Sequence, residues 1–427
     1  MSALDVTADL RPQLLIVGTG QRHYREYLLA SISTEYRVHL FLGAEPTWER
    51  EYATGWTVLL NTLDVDVLVP AARELAARTV IDGVLCWDEA RILQTAEVAA
   101  ALGLPGGDPA AVRRCRDKHM TREALAAAGV PQPASVLVGS VEEALAAAAR
   151  VGYPVVLKPR ALAASMGVVK ASDADELAER FAFANETTVP EAPSYDNAVL
   201  VEEFADGCEV SIDCAVHHGR VFPLFVACKE IGFPPYFEEV GHYVDGDDPL
   251  LADPLVRELL VRTHAALGFT DGMTHCEVML TASGPKVIEV NARLGGDMIP
   301  YLGLRATGID PGLAAAAVAC GRAPRVRQLR RLVGAVRFCY APGVVEDFHF
   351  DTVGFPSEVD RFVPLVGPHH LSLFPADTVP GRIAYITAVA VSAAACRGAL
   401  DQAMDVLDVL PHAGAHDRER MSIAAEA

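Results

Sequence analysis

Two apolar segments, 273–281 and 286–291, flank Ala282-Ser283-Gly284, which is the turn signal of a β-hairpin. Glu289 and Asn291 are two residues apart, so on a strand both side chains point to one face. Hairpin pairing can set Glu277 of the preceding strand beside Glu289. Two carboxylates and an amide oxygen on one sheet face make a hard-oxygen cage suited to Mg²⁺ at nucleotide phosphates. Like charges at that spacing are costly without a cation. Arg293 follows, and its fork matches a phosphate or a carboxylate. Taken alone, the same residues also read as solvated acids on a strand edge.

Before this hairpin the chain alternates between two textures. Apolar Leu14 to Val17 predicts a strand, followed by a helix over about 23–31 and a strand over 36–42. A strand over 65–69, a helix over 71–78 and a strand over 83–86 complete the pattern, which predicts a parallel, doubly wound sheet. Gly18-Thr19-Gly20 resembles the start of a dinucleotide fingerprint, but His23 stands where the third glycine belongs. That argues against NAD and leaves a strand-to-helix turn lining a small-molecule pocket. From Asp108 the chain reads as helix, with Asp117 capping a run to Ala128. A β-rich stretch follows, with strands over 155–158, 167–171, 199–204, 209–217 and 220–227. After residue 323 a basic run over 325–331 leads to a strand over 382–391, a helix over 396–406 and a polar tail from Pro411. The expected organisation is three units: 1–107, then 108–324 with a central lid subdomain over about 135–205, then 325–427.

Lys158 ends the apolar run Val155-Val156-Leu157, where a buried ammonium needs an anionic partner, and an ATP phosphate would serve. The small-residue loop 161–167, including Ser165, Met166 and Gly167, can approach phosphates and move over them. No Gly-Lys-Ser/Thr follows, so it is not a Walker A loop. Lys118 alone reads equally as a solvated lysine in a first helical turn, where the dipole disfavours a cation. Glu202-Glu203-Phe204 reads either as an ordinary half-buried strand or as a hinge whose backbone meets an adenine edge, with Glu209 reaching the ribose hydroxyls.

In this order, Lys118, Lys158, Glu202 to Glu209, Glu277 and Glu289-x-Asn291-x-Arg293 resemble the ATP-grasp superfamily. The resemblance covers about 108–304, and 14–104 is compatible with the domain that usually precedes it. It implies an α/β and α+β chain: an ATP-grasp fold with an N-terminal doubly wound parallel sheet and a small C-terminal β-rich module. It also implies ATP between two subdomains, with Lys118, Lys158 and the Ser165–Gly167 loop on the phosphates and Glu202, Glu203, Phe204 and Glu209 around the nucleoside. Glu277, Glu289 and Asn291 would hold Mg²⁺ or Mn²⁺. The implied reaction phosphorylates a carboxylate, and an amine attacks the acylphosphate to give an amide.

Within the superfamily, His275-Cys276-Glu277 with Glu289 to Asp297 looks most like the L-amino-acid ligases, carboxylate–amine ligases that join two amino acids. That likeness implies substrate contacts from Glu239, His242, Arg293 and Gly296, with Arg293 and His242 catalytic. The chain departs from the family pattern with Asp245 for the usual proline and Cys276 for the usual threonine; Cys276 is expected to tune packing. Gly381-Arg382-Ile383 resembles the β-rich cap of these ligases, and the family resemblance implies a homodimer. The rivals are an ATP-grasp carboxylase or purine ligase, and a non-catalytic ATP-binding module. Retention of the acids and Arg293 counts against the last.

Composition narrows the partners. Across 427 residues, 36 Lys and Arg face 56 Asp and Glu, a formal charge of −20 that repels nucleic acid and anionic membrane. The substrates are therefore expected to be small molecules. No long apolar run or basic leader marks the chain, so a cytoplasmic location is expected. The nine cysteines form no Cys-x-x-Cys pair, which excludes a disulfide scaffold or zinc ribbon. His217-His218 at a hairpin tip and His369-His370 are expected to be solvated, with no metal role. The basic run 325–331 reads as a linker or subunit contact.

Overall fold

Residues 9–162, 164–188, 199–341, 347–350, 354–365 and 381–410 are described by the computed structural model. His369-His370 and the tail from Pro411 lie outside the described residues. The first unit is a four-stranded parallel sheet of order β3-β2-β1-β4, with β1 Gln13–Val17, β2 Arg37–Leu42, β3 Gly55–Val58 and β4 Gly83–Leu85. All of β1 is buried, which is why Leu14 to Val17 read as an unbroken apolar run. Helices α1 Arg22–Glu35, α2 Val65–Ala76 and α3 Ile92–Leu102 cover the sheet.

The expected strand over 65–69 is instead the first half of α2, and β3 was not foreseen. Val65, Val67 and Val69 give the segment strand chemistry, yet the buried positions Leu68, Ala72 and Leu75 follow a helical stripe. Asp64 caps the helix by accepting from Asp66 N at 2.9 Å.

Two short helices, α4 Pro109–Arg116 and α5 Lys118–Ala127, lead into the lid. The lid is an antiparallel sheet of order β5-β8-β6-β7, from β5 Ser135–Val138, β6 Val155–Pro159, β7 Val169–Ala171 and β8 Val199–Glu203. Helices α6 Val141–Val151 and α7 Ala174–Glu186 pack on one face of it around Val155, Leu157, Leu177 and Val201. Asp117 fixes the approach to the lid: it caps α5 and takes a forked ion pair from Arg160.

Eight of the ten remaining strands form one antiparallel sheet, ordered β13-β12-β9-β10-β11-β14-β17-β16. They are β9 Gly207–His217, β10 Arg220–Gly232, β11 Glu238–Asp245, β12 Gly272–Thr281, β13 Gly284–Asn291, β14 Val333–Ala341, β16 Val359–Pro364 and β17 Gly381–Ala390; β15 Asp347–Phe350 pairs with β18 Leu407–Leu410 beside it. The sheet runs through position 325 without interruption, because β14 pairs with β11 with His242 opposite Val336. Helices α8 Pro254–Leu267, α9 Ile299–Thr307, α10 Pro311–Ala319 and α11 Ala393–Asp405 flank it. One apolar cluster joins Leu14, Leu28 and Trp87 of the first unit to Phe225, Tyr301 and Tyr385, so the three parts of the chain share a core. Among the described residues no helix is long and apolar enough to cross a membrane.

Candidate active site

A cavity of about 430 Å³ opens where the first unit, the lid and the large sheet meet. Its walls include Trp87 and Glu89 from the first unit, Lys158 and Ser165 from the lid, and Glu277 and Glu289 from the sheet. The β12–β13 register puts Glu277 directly opposite Glu289 and His275 opposite Asn291. All four side chains line the cavity, together with Lys118, Glu202, Glu203, Phe204, Glu209, Glu239, Arg293 and Gly296. Cys276, between two of them, faces the other way into an apolar cluster with Ile212 and Val278, as alternation on a strand requires.

Lys118 is buried rather than solvated: its Nζ lies 3.2 Å from Glu289 Oε2 and also donates to Leu162 O. Lys158 has its anion within the protein. Its Nζ is 3.1 Å from Glu202 Oε2, and Arg122 clasps the same carboxylate at 2.6 and 3.0 Å. Glu202 is only 1% exposed, and although burial opposes ionisation, Arg122 and Lys158 outweigh it and hold the carboxyl well below its usual range. The Glu202 carboxylate therefore anchors two cations. Glu203 is also engaged, taking Lys286 at 2.6 Å and Ala134 N at 3.1 Å. The N–H groups of Glu203 and Phe204 donate to Ala134 O and Pro154 O, within the lid.

Two loop residues fall outside the lining. Ser165 faces the cavity, but Met166 is 37% exposed and neither it nor Gly167 lines the wall. Gly167 is needed for packing: at φ +73° an added Cβ would sit 2.5 Å from Pro159 Cγ.

Glu209 lines the cavity already paired within the protein. Its carboxylate pairs with Lys229 Nζ at 2.8 Å, and the same ammonium meets Glu239 at 2.8 Å and Glu277 at 3.0 Å. The Lys229 side chain is 2% exposed. Burial pulls its pKa down, but the three glutamates overcome that and raise it well above the usual lysine value. In turn burial raises Glu277, while Lys229 and His275 prevail and hold it ionised. Sequence reasoning missed Lys229 because one lysine after Val226-Ala227-Cys228 has no spacing signal, and its glutamates come from three other strands.

His275 is a second missed cation. Its Nδ1 lies 2.6 Å from Asp213 Oδ1 and its Nε2 3.6 Å from Glu277 Oε1. Burial disfavours the imidazolium, yet Asp213 and Glu277 push the pKa up to about 9. Asp213 also accepts from Gly295 N at 3.0 Å, which ties the 291–296 turn to β9. Glu89 was also unforeseen. It sits between Arg293 Nε at 2.6 Å and Arg116 Nε at 3.2 Å, so Arg293 meets the cavity already paired.

The adjoining part draws on remote segments. Arg382 of β17 reaches Asp297 at 2.8 Å, Glu238 at 3.0 Å and the Glu239 carbonyl at 2.9 Å, and its guanidinium stacks on Phe338 at 3.9 Å. His242 lies behind this group and off the cavity wall. Its ring is 1% exposed, with Nε2 3.2 Å from Glu239 Oε2 and 3.5 Å from Asp297 Oδ2. The expected direct contact to substrate is replaced by support of two acids that do line the cavity, because the ring edge-packs on Phe338 across the sheet.

The family described as "ATP-grasp domain" matches residues 151–301. The L-amino acid ligase from Bacillus licheniformis superposes with a TM-score of 0.79 at 22% identity, over 94% of this chain and 99% of that one. The chain has the ATP-grasp fold. Carnosine synthase 1 of Homo sapiens is 31% identical over 269 residues, which are 58% of this chain and 32% of that protein. Alanine–anticapsin ligase of Bacillus subtilis is 29% identical over 241 residues, 52% of this chain and 50% of that one. The matched regions thus span about a third and a half of these two relatives.

The donor set of this ATP-grasp site fits a divalent cation. The Asn291 amide lies 3.2 Å from Glu289 Oε1 and 3.3 Å from Glu89 Oε2. Turned one way, its NH₂ donates to both. Turned the other way, its oxygen joins two carboxylate oxygens, an all-oxygen cluster that only a cation stabilises. Glu277 completes the face, so Glu277, Glu289 and Asn291 would hold the ion, with Glu89 beside them.

Proposed function

We propose that this protein is an ATP- and Mg²⁺-dependent carboxylate–amine ligase that activates an amino-acid carboxylate as its acylphosphate and joins it to the amine of a second amino acid. The observation that carries the reading is the charge layout of the one cavity. The buried cations Lys118 and Lys158 and the acids Glu277 and Glu289 line it together with Arg293, and Lys229 joins Glu277 to Glu239, beside the Asp297–Arg382 pair. The names of carnosine synthase and alanine–anticapsin ligase support an amide-forming reaction.

On this reading Lys118 and Lys158 hold the nucleotide phosphates, and Glu277, Glu289 and Asn291 would hold Mg²⁺, which would supply neutralisation of phosphate charge. Arg293, oriented by Glu89, stabilises charge growing on the transferred group and then on the carbonyl oxygen of the acyl carbon. The amine attacks that carbon, phosphate leaves with the bonding pair, and the amine proton passes to the Glu239 carboxylate, which lines the cavity. No protein nucleophile is required.

The test is phosphate release from Mg·ATP across a panel of single amino acids and pairs, with Glu289→Ala as the blank. Release should depend on a pair, and mass spectrometry should show the dipeptide. ATP turnover that requires bicarbonate, or that ignores amino acids altogether, would refute the reading.

A further inference from the structure

The tip of the β9–β10 hairpin, at the other end of the sheet from the catalytic acids, carries a group that the proposed reaction does not use. His217 ends β9, His218 occupies the turn, and Asp271 stands in the turn between α8 and β12. His217 Nδ1 lies 3.4 Å from Asp271 Oδ1, and His218 Nδ1 lies 3.7 Å from the same oxygen. Adjacent strand residues normally point to opposite faces. Here His218 has φ +50°, and this left-handed turn swings its ring to within 4.0 Å of the His217 ring. The sequence suggested a solvated pair with no role, but the structure adds a carboxylate from 53 residues away.

We propose that His217, His218 and Asp271 form a Zn²⁺ site. Three observations converge on it. Zinc bonds nitrogen and oxygen at about 2.0–2.2 Å, so two ligands at a tetrahedral angle stand about 3.3–3.6 Å apart. The separations of 3.4 and 3.7 Å are at or near that edge length without rearrangement. Second, His217 Nδ1 is screened from solvent and makes no hydrogen bond, a polar atom that ordinarily has a partner. Third, the frame is rigid. Asp271 Oδ1 accepts from His218 N at 2.8 Å, Gly219 N donates to Thr270 O at 2.8 Å, and Gly107 N donates to Asp271 O at 2.9 Å. Two imidazoles with one carboxylate suit Zn²⁺ and leave a fourth position for water. The His218 side chain is 75% exposed against 13% for His217 and 18% for Asp271, so the ion has an open approach.

The site is independent of the active site. Asp271 lies six residues along the chain from Glu277, on the order of 20 Å. Bound zinc clasps the hairpin tip to the α8–β12 turn.

The test is a Zn²⁺ titration of the full chain against a chromophoric chelator, with saturating Mg²⁺ and a non-hydrolysable ATP analogue filling the catalytic end. One equivalent should bind, and Co²⁺ should show the visible spectrum of a tetrahedral nitrogen–oxygen site. His218→Asn tolerates the left-handed turn, and Asp271→Asn keeps the shape of its side chain. Each should weaken binding by roughly tenfold or more while ATP turnover is unchanged. Equal zinc affinity in the wild type and both variants overturns the proposal. Zinc binding that disappears only in Glu289→Ala overturns it too, by placing the ion in the catalytic cavity.

Discussion

Two adjoining parts of the cavity, bridged by Lys229, are built differently. In the part proposed to take the nucleotide, Glu277, Glu289 and Asn291 come from neighbouring strands of one hairpin, and Lys158 lies on the strand paired with that of Glu202. In the other part, Arg382 meets Asp297 across 85 residues, and Tyr385, three positions on, reaches back to the His23 carbonyl. Pairing between adjacent strands sets the first part. The second exists only after the first unit, β11 and β17 have docked. Damage in the first part should therefore remove chemistry or the lid, while damage in the second should affect the amino-acid substrates and leave nucleotide binding intact.

The largest effect is expected at the Arg122–Glu202–Lys158 cluster. Glu202→Ala strands two buried cations and should cost about 3–5 kcal/mol, read as a lowered denaturant midpoint. With its folded pKa below the unfolded one, Glu202 contributes stability that is present above about pH 4.3 and is lost as the pH falls through the folded value. Next, Glu289→Ala should lower phosphate release by about 100- to 1000-fold with little change in fold. Arg382→Ala should then cut kcat/KM for the amino-acid substrate by about 10- to 100-fold, with ATP affinity unchanged. If ATP affinity falls in step, the division into two parts is wrong.

A subtler signature belongs to His275. Its pKa is raised in the folded state, so its stabilisation is complete below about pH 6.5 and fades as the pH rises through about 9. Melting curves of wild type and His275→Gln should therefore converge toward alkaline pH. The smallest effect is expected for Cys276→Ala, at about 1 kcal/mol with turnover unchanged, because the thiol faces the apolar side. A large loss of turnover would show that the two faces of β12 are not separable.

Legibility in the sequence tracked the range of the interactions. The β12–β13 hairpin, the cap at Asp117 and the alternation of β1 and α1 are local patterns, and all stand in the structure. The segment 65–69 misled because its valines favour a strand, whereas burial of Leu68, Ala72 and Leu75 favours a helix. The sequence singled out Glu209 and His242 but not the side chains they touch. Their neighbours Lys229, Glu239 and Asp297 come from other strands and turns, and no spacing rule links them. His217 and His218 were visible as a pair, but Asp271 was not.

By itself the sequence determined the β12–β13 hairpin that sets Glu277 opposite Glu289, because strand alternation and hairpin pairing act over a few residues, while the ATP-grasp fold was legible through a resemblance of ordered motifs. Tertiary structure decided where the charges went. It buried Lys229 among three glutamates, set Glu89 against Arg293, placed Arg382 over Asp297 and withdrew His242 behind the wall. The physical reason is that a buried charge is tolerated only beside its counter-charge, and here those partners lie tens to hundreds of residues apart.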